Sequence, residues 1–569
     1  MKILGVANTI DSGACLILDG VLVSCVNEER FTRIKSTRGF PVESISYLLE
    51  EHSLSVSDID IIACSAWAGL NEFNTLSELT KDIIEISKQG NFAQSKVLER
   101  IQSSCSSIVS NRAILEENLV AMGFQLKNLI YVNHHEGHAL TSFIPSPFDK
   151  SLIFVADGRG DYMSMSLWEA DRRSNVASIK LVNQITELKS LGAMYGFITN
   201  ILGFTPHKHE GKVTGLAASG EKTDFYDFLK SGIDFCVESG EFTVQYGGFY
   251  LPFISSFPDE LKSMAGLYRP EDVAWAAQEL LESCLTQYLT YHLKRLGIVS
   301  TNLCLSGGIM ANVKSNMILA QLPQIENVFI APSMGDGGSA LGGALKAMLL
   351  AEDGTQVNLK NSYLGPEYDT DEIKEELDLS SINYTVVNIE DIPSEVSRLL
   401  QNNQTVGLFQ GRMEYGPRAL GNRSILANPS NPNINASLNQ RLNRTEFMPF
   451  APATISELAK DCFVGWELNH QSPKFMTICY QCTPYFAKLC PATVHLDNTA
   501  RPQIVFKDEN PLYHSIIKEF YNLTGIPGII NTSFNHHEEP IVMSPRDAVR
   551  SFLKGNVDAL LIGPYLVSK

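Results

Sequence analysis

The sequence predicts an α/β protein in two regions. Short apolar strands alternate with helical stretches up to about Leu350, glycine-rich turns follow several of those strands, and a polar connector then gives way to a second α/β series near Tyr384. The 569 residues exceed what one hydrophobic core serves and, at about 150 residues per domain, suggest two to four structural units. The boundary is placed within 355–380, giving domains 1–355 and 356–569.

The elements follow in order. Ile3–Ala7 and Ala14–Leu18 read as strands, Asp19-Gly20 as a tight hairpin turn, and Val21–Val26 as the returning strand. Further strands are expected at Ile59–Ser65, Leu129–Asn133, Leu152–Asp157, Leu303–Leu305 and Val328–Ala331, with helical material from about Thr75 to Met122. Arg269-Pro270-Glu271-Asp272 opens a helix that stops at Gly297, proline in its first turn and glycine beyond its last. Phe475–Cys482 is strand-like and holds the one C-x-x-C, with no second pair of matching spacing, a weak signal for structural zinc.

Forty-five basic against sixty-three acidic residues give a net charge of −18, which repels a polyanion, so nucleic acid is not expected as a partner. With 44% apolar and 19% charged residues and no apolar run of about 18, neither a membrane span nor disorder is expected. Met1-Lys-Ile-Leu-Gly-Val runs straight into a strand, so no signal peptide is expected. Eleven scattered cysteines, an odd number, then point to reduced thiols and the cytoplasm.

The chemistry concentrates first in His134-His135-Glu136-Gly137-His138. His134 and His138 stand one helical turn apart at the carboxyl end of a strand, where α/β folds bind ligands and both imidazoles can reach one ion. The plain alternative is a solvated surface helix. Three glycine turns with acidic or amide side chains join them: Asp157-Gly-Arg-Gly-Asp161, Ser306-Gly307-Gly308-Ile-Met-Ala-Asn312, and Gly335-Asp336 through Gly343. Two imidazoles with Asp157 and Asp336 would suit Fe(II), Mn(II) or Zn(II), while His135 and Glu136 read as supporting or solvent-facing. In the second region Arg412, Arg418 and Arg423 sit among glycines, followed by Arg441 and Arg444, a pattern suited to forked recognition of phosphates or carboxylates. The polar runs His495–Arg501 and Asn531–Pro540 suggest a ligand pocket.

Together these stretches resemble the O-carbamoyltransferase family that acts on nodulation factors, cephamycins and aminoglycosides. The likeness runs over nearly the whole chain: Glu28-Glu-Arg-Phe-Thr-Arg33 with Phe40-Pro41, His134-x-x-x-His138, Glu210-Gly-Lys212-Val-Thr-Gly-Leu216, Gly307-Gly-Ile-Met-Ala-Asn312, Arg412-Met-Glu-Tyr-Gly-Pro-Arg-Ala-Leu-Gly-Asn-Arg423, and Asn531-Thr-Ser-Phe-Asn535 with Glu539-Pro-Ile541. The resemblance implies a duplicated ribonuclease H-like N-terminal domain of the actin/sugar-kinase superfamily and a C-terminal YrdC-like α/β domain. It implies that carbamoyl phosphate and ATP form carbamoyl-adenylate in the C-terminal domain, and that an Fe(II) site in the N-terminal domain transfers the carbamoyl group to a hydroxyl of a small metabolite or saccharide, Mg(II) accompanying ATP. Carried over, His134, His138, Asp157 and Asp336 become metal ligands; Gly307, Gly308, Asn312, Arg412, Arg418, Arg423, Arg441, Arg444, Ser533 and Asn535 bind substrate or nucleotide. Asp11, His207, His209 and Lys212 become the catalytic candidates. Members commonly carry His-Asp-Ser where this chain has Ile10-Asp11-Ser12, so His207 or His209 is the candidate for a displaced base; Arg441 and Arg444 stand where members have Lys-x-Arg-Glu. A homodimer is among the assemblies the resemblance allows. Two other readings are a fused tRNA threonylcarbamoyl transferase, which the net charge of −18 opposes, and a nucleotide-binding scaffold without transfer chemistry, which would not need the arginine turns.

Overall fold

The computed structural model describes residues 1–67, 69, 75–173, 177–352, 356–357, 359–443, 448–469 and 471–568, with the backbone alone at 468–469. Two units emerge: Met1–Val23 with Arg38–Asn358, and Ser24–Thr37 with Leu359–Lys569. The sequence alone places a single cut near 355. Segment 24–37 instead belongs with the second unit, because its donors are satisfied there: Cys25 N–H donates to the Leu364 carbonyl, Arg30 to that of Gly416 at 2.9 Å, and Arg33 to those of Ile541 and Pro540, each at 2.8 Å.

The first unit holds two five-stranded sheets. One contains β1 (Lys2–Ala7), β2 (Gly13–Leu18), β3 (Val21–Asn27), β4 (Ile61–Cys64) and β5 (Leu129–Tyr131) in the order β3-β2-β1-β4-β5. Asp19 and Gly20 both take positive φ, 48° and 77°, the primed-turn geometry that matches the twist of the flanking strands. The other contains β6 (Lys150–Gly160), β7 (Met163–Asp171) and β8 (Ser178–Thr186); after a separate hairpin of β9 (Ile233–Cys236) and β10 (Glu241–Val244), it is completed by β11 (Thr301–Ser306) and β12 (Ile325–Ile330). Its order is β12-β11-β6-β7-β8, the same arrangement: an antiparallel start, with two parallel strands added beside the first. This repetition is the duplicated ribonuclease H-like topology. β7 and β8 escape the sequence pattern because buried Ser164 and Ser166 interrupt the apolar run of one, and polar residues alternate through the other.

The helical stretch expected at 75–122 is two helices, Thr75–Ser87 and Asn91–Ala121, parted at Gly90 with φ 118°. Helix Pro270–Arg295 forms as expected, proline in its first turn. Helices His134–Phe143 and Ser339–Leu350 cross where a Cβ on Gly342 would lie 2.4 Å from the Gly137 carbonyl oxygen, so that glycine serves close packing rather than anion binding.

The second unit carries a mixed sheet of eight strands, in spatial order Thr385–Val386, Tyr565–Ser568, Ala559–Ile562, Val406–Phe409, Arg423–Ala427, Ile529–Ser533, Ala451–Ile455 and Gln503–Val505. Alternate residues enter different cores. Phe409, Ile425, Leu560 and Ile562 pack with Leu377 and Phe552; Leu408, Leu426 and Leu561 pack with Leu400, Ile517 and Phe520. Both faces are therefore covered by helices, a three-layer α/β arrangement. The run 475–482 is not the expected strand: a 3₁₀ turn spans Ser472–Phe475 and only Tyr480–Gln481 pair. Cys479 and Cys482 are buried, and no cysteine joins a group of three or more converging ligand atoms among the described residues. None of the described helices is long and apolar enough to cross a membrane.

Candidate functional site

β5 feeds helix His134–Phe143, whose first turn is capped by Asn133 Oδ1 accepting from Glu136 N–H at 3.1 Å. All ten helix residues are buried, which excludes the solvated surface helix. At the ends of the second sheet's strands, Asp157 leaves β6 through a bulge between Ala156 and Gly160, Gly307 and Gly308 follow β11, and Asp336 lies beyond β12. The predicted quartet converges. His134, His138, Asp157 and Asp336 each place one ligand atom within 4.8 Å of all the others. His134 Nε2 lies 3.1 Å from His138 Nε2, 3.3 Å from Asp157 Oδ2 and 3.6 Å from Asp336 Oδ1, and His138 Nε2 is 3.5 Å from that same oxygen.

The surrounding contacts fix which imidazole nitrogen faces the cluster. His134 Nδ1 is 3.2 Å from the Ser65 carbonyl oxygen and therefore donates, leaving Nε2 with its lone pair inward. His138 Nδ1 stands 3.5 Å from Ser306 Oγ, whose proton goes to the Met334 carbonyl at 3.1 Å. Asp157 Oδ1 accepts Gly308 N–H at 2.8 Å, so Oδ2 is turned to the imidazoles. Gly307, at φ 96°, permits that approach: a Cβ there would fall 2.2 Å from the Ala156 carbonyl oxygen. Asp161, which the residue pattern offers no role, accepts His134 N–H at 2.8 Å and Gly69 N–H at 2.5 Å, pinning the start of the helix.

Four lone-pair atoms facing one another without a cation repel. Burial opposes charge on His134, yet Asp336, Asp157 and Asp161 outweigh it and raise its pKa to about 9. Burial pushes the carboxyl of Asp157 the other way, but the imidazoles hold it far below the usual carboxylate range. Ligands about 2.1 Å from a shared ion stand about 3 Å apart when adjacent and about 4.2 Å when opposite, so the 3.1–3.6 Å separations fit a divalent cation. His135 and Glu136 do not face solvent. His135 Nδ1 meets Ser166 Oγ at 3.0 Å and burial lowers its pKa to about 3, while Glu136 pairs with Lys346 at 2.6 Å.

The remaining candidates lie apart from this cluster or serve other contacts. Asp11 sits in the β1–β2 turn at φ 52°. His207 is exposed and its N–H donates to Glu210 at 2.6 Å; His209 Nδ1 accepts Thr205 N–H at 3.1 Å; Lys212 is buried with Nζ 6.0 Å from the Phe204 ring centre. Neither loop histidine joins the quartet. Asn312, half-buried, caps helix Val313–Ala320 and bonds Gln278 at 2.8 Å.

In the second unit the arginines divide. Arg423 is fully buried: its guanidinium donates to the carbonyls of Gln410 (2.6 Å), Gly411 (3.1 Å), Asn422 (3.0 Å), Pro366 and Met543 (3.3 Å each), and it lies 3.7 Å over the Phe409 ring. That corrects the expectation of a phosphate ligand. A phosphate has no path to a side chain with no exposed surface. Arg412 is likewise committed, to the carbonyls of Leu364 and Gly365 and to Ser24 Oγ at 2.7 Å. Arg441 pairs with Asp558 at 2.9 Å, and Arg444 lies outside the described residues. Arg418 is half-buried; Ser533 Oγ donates to Asn535 Oδ1 at 2.6 Å, and Asn535 Nδ2 to the Glu539 carbonyl at 2.6 Å.

The topology describes a duplicated ribonuclease H-like protein in which a buried imidazole–carboxylate quartet gathers at the strand ends. Comparison with known proteins names the family. Residues 2–345 match the model of the carbamoyltransferase N-terminus and 397–569 that of the carbamoyltransferase C-terminus. The chain belongs to the carbamoyltransferase family, and it is a carbamoyltransferase enzyme. Relatives include the nodulation protein NolNO of Sinorhizobium fredii, 31% identical with 98% of this chain and 79% of that protein covered. NolO of Bradyrhizobium diazoefficiens is 34% identical over 77% of this chain and 79% of its own, and the uncharacterized protein MJ1051 of Methanocaldococcus jannaschii is 31% identical over 100% and 99%. Among solved structures, HypF of T. kodakarensis aligns at TM-score 0.32 and 12% identity, covering 62% of this chain and 48% of that one.

Proposed function

We propose that the enzyme is an ATP-dependent O-carbamoyltransferase. Carbamoyl phosphate and one water give carbamate and phosphate, a carbamate oxygen attacks the α-phosphorus of ATP to form carbamoyl-adenylate with pyrophosphate as the leaving group, and the carbamoyl group then passes to a hydroxyl of a small metabolite or saccharide, releasing AMP. The observation that carries this is the quartet His134, His138, Asp157 and Asp336, closed by fixed tautomers at the strand ends of a carbamoyltransferase N-terminal domain.

The residues suit this chemistry. A carbamoyl carbonyl is weakly electrophilic, and joining it to AMP creates a good leaving group. The YrdC-like second unit is the place for that activation, with Arg418 and the Ser533-Phe-Asn535 element facing nucleotide; Arg423 supports the fold there instead. In the first unit His134 and His138 present Nε2, and Asp157 and Asp336 an oxygen each, to one Fe(II) or other divalent ion. When bound, that ion supplies Lewis acidity toward an oxygen of the reactant. Ser65 and Ser306 hold the imidazole tautomers, Asp161 holds the helix start, and Gly307 brings the Gly308 N–H to Asp157. Mg(II) accompanies ATP. No helical membrane span occurs among the described residues, and the net charge of −18 disfavours a nucleic-acid acceptor, so a small acceptor fits best.

The test is pyrophosphate release from ATP with carbamoyl phosphate, beside transfer to a trial hydroxyl acceptor, in the wild type and His138→Ala. Release that survives in the variant while transfer falls at least a hundredfold supports two separate steps. A wild type that shows no carbamoyl-phosphate-dependent release overturns the assignment.

A further inference from the structure

Between the two aspartates of the loop Asp157-Gly-Arg-Gly-Asp161 stands Arg159, to which neither the quartet nor the packing assigns a task. Its neighbours on either side are anchored to the centre: Asp157 belongs to the quartet, and Asp161 accepts the His134 N–H at 2.8 Å. The guanidinium is held from behind. Nη1 donates to Ser104 Oγ at 3.1 Å, Ser104 in turn donates to both oxygens of Glu187 at 2.6 and 2.9 Å, and Arg159 comes within 3.9 Å of that carboxylate. One face is covered by the indole of Trp67, 4.2 Å from the guanidinium carbon. Among the described residues only Nη1 has a hydrogen-bond partner, which leaves Nε–H and both Nη2–H donors open on a side chain that is 27% exposed. An arginine held at one nitrogen and stacked on an aromatic ring loses little further freedom when its open edge meets an oxyanion.

The charges agree. Asp157 and Asp336 offset a divalent ion, so the quartet with its ion is neutral apart from the imidazoles. Of the two arginines around buried Glu187, Arg100 is 5% exposed and donates to the Pro252 carbonyl and Ser103, whereas Arg159 is the partly open one. Arg100 and Arg159 face two carboxylates, Glu187 and Asp161, so the guanidiniums are balanced locally and it is the open edge of Arg159 that remains for an anion.

We infer that Arg159 is the anion receptor of the first unit, binding a phosphoryl oxygen of the nucleotide through Nε–H and Nη2–H, with Ser104 and Glu187 as positioning residues. This rests on the carbamoyl-transfer reading of the same site and deepens it: the quartet and Arg159 would grip the phosphate from two sides, leaving the acceptor to approach elsewhere.

The probes are Mn(II) and AMP on the full chain. Mn(II) at the quartet broadens the ³¹P resonance of AMP only when the phosphate sits beside it, which separates this site from any nucleotide bound by the second unit. Arg159→Gln is expected to raise the AMP dissociation constant read from that broadening at least tenfold, Arg159→Lys by less, with Mn(II) occupancy by electron paramagnetic resonance and the melting temperature unchanged. Equal AMP affinity in wild type and Arg159→Gln at equal Mn(II) occupancy overturns the proposal while the metal reading stands. If the wild type binds no more Mn(II) than His138→Ala, the metal reading falls. Calorimetric titration of inorganic phosphate onto metal-free protein then decides: tenfold weaker binding in Arg159→Gln supports the receptor, and identical binding overturns it.

Discussion

Replacing Arg423 by alanine separates a strut from a ligand. The guanidinium satisfies five backbone carbonyls, of Pro366, Gln410, Gly411, Asn422 and Met543, and covers the Phe409 ring at 3.7 Å. A hydrogen bond from a charged donor contributes about 1.5–3 kcal/mol, and the bonds are not additive because water entering the cavity recovers some acceptors. Taking two or three as irreplaceable gives a loss of about 5 kcal/mol, comparable to the whole stability of many domains, about 5–15 kcal/mol. Arg423→Ala should therefore unfold the second unit, seen as loss of its thermal transition and as rapid proteolysis within 24–37 and 359–569. Arg423→Lys, with three donors on one nitrogen, should recover only part. A variant that melts with the wild type yet no longer binds ATP would refute the strut and restore the nucleotide contact expected from Gly-Asn-Arg.

Three further outcomes follow from the geometry. Asp161→Asn replaces the carboxylate that receives His134 N–H and Gly69 N–H, and should weaken Mn(II) binding about 10–100-fold with little change in melting temperature, measured by metal titration. Gly307→Ala forces a side chain into φ 96° and against the Ala156 carbonyl, so it should cost at least about 1–3 kcal/mol and lower both the melting temperature and metal affinity; unchanged values would refute the need for glycine there. His292 is buried, neither ring nitrogen has a hydrogen-bond partner among the described residues, and burial lowers its pKa to about 4. A histidine depressed in the fold contributes stability above its unfolded pKa of about 6.5 that is lost as pH falls toward 4, so His292→Phe should gain on the wild type across pH 6.5 to 4 in thermal melts and track it above 7.

What could be read from residues alone was set by range. The i,i+4 spacing of His134 and His138 and the positions of Asp157 and Asp336 in glycine turns after apolar strands are local signals, and the four residues they single out bring ligand atoms together from distant parts of the chain. The strands β1 to β6 announce themselves because their apolar runs are unbroken or, in β3, interrupted only at Ser24; β7 does not, since two buried serines alternate with apolar residues at its start. Arginine among glycines looks the same whether it meets phosphate or carbonyl. Only the packing of Met543 and Pro366 around Arg423 distinguishes them, and those residues are 120 and 57 positions away. Asp161 and Ser65 act through one hydrogen bond each to His134, for which no residue pattern exists.

The pairing of segment 24–37 with the second unit has a consequence for biogenesis. The ribosome releases Arg30 386 residues before the carbonyl of Gly416 it serves, and Arg33 508 residues before Ile541. Until then those guanidiniums have only neighbours in their own segment, Glu29 for Arg30 and the Arg30 carbonyl for Arg33, so the second unit is finished by a strand of chain older than nearly everything around it. A gene fragment starting at residue 359 would encode an incomplete fold, and supplying the missing fourteen-residue stretch, as a separate peptide or spliced onto the fragment, is the way to complete it.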